Sequence, residues 1–167
     1  MQLAEGATAV LLIAAGVADI RTRKIPNKLN LTAVVTALLY YAVVDGTKGI
    51  VTSGLGLLSG FGLLLLLYIG RAVGAGDVKL FAALGAWMGS YFVWNTFFYS
   101  ILYGGVIASI YLLYHYRSLG RRFVQMVLLF IGVKSFDMLR ETVIRPSTFP
   151  FMLAVIPAAL TVHFMDM

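Results

Sequence analysis

The sequence predicts an all-α polytopic membrane protein, with six transmembrane helices and one further cytoplasmic or interfacial helix in a single membrane-embedded domain over 1–167. Three observations predict it. Of 167 residues, 60% are hydrophobic and only 12% charged, against about 25% charged in average usage. The apolar runs are continuous rather than alternating. Only helices and closed barrels satisfy their backbone polar groups in lipid, and continuity selects helices. The basic residues collect in the short segments between these runs.

A crossing helix needs about 20 apolar residues, with about 17 as a practical minimum. The first run, about 3–19, contains Glu5 and is followed by Arg21-Thr22-Arg23-Lys24. A secretory leader has its basic region in front, so this run reads as a retained anchor with its N-terminus outside. The second, about 29–44, closes at Asp45-Gly46-Thr47-Lys48, and the third is about 50–70. Gly56 and Gly60 in the third run, like Gly85 and Gly89 in the fourth (about 78–94), stand four apart. That spacing predicts close helix packing inside the bundle, with Gly54 and Gly62 extending the smooth side of the third helix. The fifth run is about 96–114. The sixth, about 149–165, is marked at its start by Pro146 and Pro150 and is expected to kink at Pro157. Segment 121–141 holds a shorter apolar stretch bounded by charge. Its Asp137 and Glu141, among Lys134, Arg140 and Arg145, read as the solvated face of an interfacial helix.

Charge sets the orientation. With the N-terminus outside and six crossings, twelve of the 13 Lys and Arg residues lie on the inner side and only Lys48 lies outside. The positive-inside rule favours that arrangement. A net charge of +6 spread around membrane spans points to anionic lipid rather than nucleic acid. There is no cysteine, which removes disulfides and thiolate metal sites. His115 and His163 fall at opposite membrane faces, so no metal and no cofactor is expected.

The chemistry is carried by two acids. Carboxylates at membrane helices are costly and mark function. Asp19 ends the first span and Asp77 begins the fourth, after Gly74-Ala75-Gly76; the expected topology brings both to the cytoplasmic rim. A pair of aspartates can divide general acid and general base work on a peptide bond. The last turn of a helix disfavours an anion and the first turn favours one. On that ground Asp19 is expected to hold a shared proton and Asp77 to be ionised. Gly74 and Gly76 are expected to let the backbone approach a substrate and enter the fourth helix sharply. The plainer readings are an N-cap for Asp77 and an ion pair with Arg23 for Asp19.

Ala18-Asp19-Ile20-Arg21-Thr22-Arg23-Lys24-Ile25-Pro26-Asn27, followed by Gly74-Ala75-Gly76-Asp77-Val78-Lys79-Leu80, resembles the type IV prepilin peptidase family of membrane aspartyl proteases. That family has one aspartate seven residues before an Ile-Pro-Asn-type turn. Its other aspartate ends a Gly-x-Gly-Asp loop with Lys two positions on. The resemblance implies an endopeptidase of the cell membrane that removes the short basic leader of pilin-like precursors at the cytoplasmic face. It makes Asp19 and Asp77 catalytic, has Gly74 and Gly76 shape the loop, and has Lys79 meet substrate or lipid phosphate. Without cysteine the chain resembles the short form, as in tight-adherence pilus and archaeal preflagellin peptidases, which lacks the zinc-binding segment associated with N-methylation. Two other classes compete. One is a small ion- or proton-coupled transporter using the same acids, though such acids usually sit near the midplane in paired repeats. The other is a non-catalytic scaffold of a pilus or secretion assembly.

Overall fold

A computed structural model describes residues 2–70, 73–114 and 151–165. The described chain is all helical: α1 (Gln2–Thr22), α2 (Asn27–Val44), α3 (Gly46–Ile69), α4 (Ala75–Tyr114) and α5 (Met152–Met165). The expected interfacial segment 121–141 lies outside the described residues.

Each early boundary has a local cause. Helix α1 stops where Arg23 takes a positive φ of 52°, three residues ahead of Pro26, which disfavours helical backbone in the residue before it. Helix α2 then starts directly behind that proline. Between α2 and α3 the chain turns at Asp45 and Gly46; Gly46 takes φ 60°, which costs glycine little.

Helix α4 departs from expectation. Its 40 residues would measure about 60 Å if straight, twice the thickness of a hydrocarbon core of about 30 Å. Gly89 interrupts it at φ 80°, ψ 177°, a conformation open essentially to glycine alone. The break therefore falls at Gly89 and not near residue 95, as the expected spans 78–94 and 96–114 had it. Asn95 is absorbed into the helix, its Nδ2 donating to the Tyr91 carbonyl at 3.0 Å.

The contacts of the two arms show opposite directions. In the first, Phe81 lies beside Phe151 at the start of α5 (6.3 Å between ring centres). Met88 shares a small cavity with Leu160 and His163 near the α5 end. In the second, Tyr99 Oη donates to Met165 Sδ, Tyr103 bonds Thr161, and Gly104 approaches Ala154. The first arm runs along α5 and the second runs back against it.

Helix α3 crosses the first arm at backbone contact. A Cβ on Gly56 or Gly85 would strike the other residue's carbonyl, and one on Gly60 would strike the Phe81 carbonyl. Ser53 Oγ donates to the Ala86 carbonyl at 2.8 Å. Small residues thus set the helix separation, as expected. Gly54 and Gly62, by contrast, face open space, a face of α3 that the four-residue spacing alone did not separate from the packed one. The core joins α1, α4 and α5 through Leu12, Ala15, Leu80, Phe81, Leu84, Met152 and Val155.

Four described helices are long and apolar enough to cross a membrane: Leu3–Thr22, Asn27–Val44, Gly46–Ile69 and Ala75–Ile110. That falls short of six because the fourth and fifth expected spans are continuous in α4, and α5 is a shorter apolar helix of 14 residues.

Candidate active site

At one end of the bundle the last turn of α1, the loop into α2 and the starts of α4 and α5 converge. Asp19 is buried there, 7% exposed. Its Oδ2 accepts the backbone N–H of Met152 at 3.1 Å. Met152 is the first residue of α5, where first-turn N–H groups lack partners inside their own helix. Asp19 therefore caps α5 from 133 residues away in sequence.

Asp77 is the third residue of α4 and is half-buried. Its Oδ2 accepts the N–H of Gly74 at 3.1 Å, while the Asp77 N–H donates to the Gly74 carbonyl at 3.1 Å. This is the reciprocal arm of a capping box, with the side chain reaching back to the residue that starts the helix. Ala15 of α1, Val78 and Leu80 of α4 and Met152 of α5 share one core, so the two sequence-predicted acids lie at the same end of the bundle. Asp19 does end α1, but it also meets the N-terminus of α5, so each carboxylate accepts one backbone N–H at a helix start.

Gly74 and Gly76 keep to the negative-φ side; among the described residues positive φ occurs only at Arg23, Gly46 and Gly89. Their smallness serves close approach. A Cβ on Gly74 would come within 3.3 Å of Asp77 Oδ2, and one on Gly76 within 3.3 Å of the Ile25 side chain. Gly76 thus makes room for this chain's own Ile25.

The first motif's turn is docked on the second motif's loop. Buried Ile25 sits against Gly76, Lys79 Nζ donates to Asn27 Oδ1 at 2.8 Å, and Asn30 Nδ2 donates to the Gly76 carbonyl at 3.2 Å. Lys79 is exposed and tied to Asn27. The sequence reading missed Asn30, which is 2% exposed. Its one signal was an amide placed among apolar residues one turn after Pro26. His163 stands at the far end of α5, beside Glu5 and Thr8 around the small cavity. His115 lies outside the described residues. Among the described residues no group of three His, Cys, Asp or Glu side chains could hold a metal ion.

Two carboxylates, each accepting one backbone N–H, thus stand at one end of an apolar bundle. A match to the type IV leader peptidase family covers residues 7–109, both aspartates included. Neither a curated protein nor a solved structure matches the chain.

Proposed function

The chain belongs to the type IV leader peptidase family, and from that premise we propose that it is a two-aspartate endopeptidase. It removes the basic leader of pilin-like precursors at the cytoplasmic face of the cell membrane. The observation that supports this is that Asp19 and Asp77 lie at the same end of the bundle, each held by one backbone N–H at a helix start.

In the reaction one carboxylate takes a proton from a bound water. The resulting oxygen nucleophile attacks the scissile carbonyl carbon. The other carboxyl, protonated, donates to the developing oxyanion and then supplies the proton the leaving amine needs. The shared proton is a property of the pair, and its position on one acid or the other is set by both together. Gly74 and Gly76 keep the loop low beside the pair, and Lys79 and Asn27 brace its entrance.

The proposed topology has six crossings, each arm of α4 making one and α5 the last, with the N-terminus outside. Both aspartates then lie on the side that holds nearly all the basic residues, where a precursor's basic leader would also be retained. Asp19→Asn and Asp77→Asn test the reading. Each should still insert and fold, yet cleave a co-expressed pilin-like precursor about 10²- to 10⁴-fold more slowly, the range for losing one acid–base group. Normal processing by either amide variant would overturn it.

A further inference from the structure

A groove of about 440 Å³ opens between α2, α3 and the first arm of α4, at the end that carries the aspartates. Lys28, Lys79, Asn27 and Asn30 line it together with Leu31, Val34, Leu57, Phe61 and Ala82. We propose that it binds an anionic glycerophospholipid, with the headgroup phosphate between Lys28 and Lys79 and an acyl chain over Leu31, Val34, Leu57 and Phe61.

Three features select this occupant. Two ammonium groups share one small groove, and no acidic side chain is among its described lining residues. Helix α2 begins there with no side-chain cap on its first turn, which adds the positive end of a helix. The apolar wall is left open, with Leu31 66% exposed, on a surface that in a bilayer faces lipid tails. A soluble anion would leave that wall bare, whereas a phospholipid covers the charged and apolar parts at once. Basic pockets between membrane helices on the inner side hold anionic headgroups in this way.

The placement of this groove at the inner leaflet rests on the proposed topology, but its test does not need peptidase activity. The full chain, purified in mild detergent, is titrated with phosphatidylglycerol or phosphatidylcholine, and bound lipid is counted by native mass spectrometry. The wild type should retain one phosphatidylglycerol in preference to phosphatidylcholine. Each of Lys28→Gln and Lys79→Gln should weaken that binding about fivefold, and the pair about 25-fold, from about 1 kcal/mol per lysine. The pair of arginine variants should restore it. Asp19→Asn should bind as the wild type does, so a failed peptidase reading would leave this result standing. Equal retention of the two lipids, or undiminished phosphatidylglycerol binding in the double glutamine variant, would overturn the site.

Discussion

Asp19 and Asp77 do structural work before any chemistry. Each carboxylate ends an orphaned backbone N–H, Asp19 for Met152 and Asp77 for Gly74. The interaction at Met152 can be removed without touching the aspartate. Met152→Pro deletes the N–H at the first position of α5, where proline fits the helix. It should lower kcat about tenfold, in line with about 1.5 kcal/mol for a hydrogen bond to a charged group. Met152→Leu, which keeps the N–H and nearly the same volume, should restore turnover. Steady-state kinetics on a precursor peptide in detergent decides it; equal loss in both variants would assign the effect to packing. Asn30 acts one step further away, through Gly76. Asn30→Ala strips the Gly76 carbonyl of its side-chain donor, and the Asp77 loop should shift. The expected result is a fall of about tenfold in kcat with KM within about twofold, since small misplacements at a reacting centre cost rate steeply. An Asn30→Ala enzyme with unchanged kcat would remove it from the positioning role.

At the scale of elements, two glycines do different jobs on the same arm. Gly85 is needed for distance, because any Cβ there meets the Gly56 carbonyl. Gly89 is needed for conformation, at φ 80° with nothing within 4 Å of where a Cβ would stand. Gly89→Ala should therefore be tolerated sterically yet strained, costing about 1–3 kcal/mol. Gly85→Val should instead push α3 and α4 apart. Thermal unfolding in detergent separates the two. A lowered midpoint is expected for both, with the larger fall at Gly85, where the clash is with backbone atoms that cannot give way. The four-residue glycine spacing was legible in the sequence as close packing. Which of those glycines reversed the chain was not legible, because Gly85 and Gly89 look alike in a one-dimensional pattern. Asn95 drew the expected boundary for the same reason: a polar residue in an apolar run reads as a break until its amide is seen donating to the carbonyl one turn back.

For the whole molecule, topology is the quantity that the proposed function depends on, since two aspartates can act as a pair only on one membrane face. With no native cysteine, single introduced cysteines report sidedness directly. Lys48→Cys should be labelled by an impermeant maleimide in intact cells, and Lys24→Cys only after permeabilisation. The reverse pattern would overturn the proposed orientation. The sequence by itself determined the helical class, the apolar segments and the two acidic residues with their flanking turn and glycine loop. Those follow from composition and short-range pattern, where each residue carries its own signal. The tertiary structure alone decided that Met152 meets Asp19, that Ile25 and Asn30 clamp Gly76, and that α4 folds back at Gly89. These depend on which surfaces of distant segments come to share a boundary. That is a property of three-dimensional packing, and a linear chain records no distance between residues until it folds.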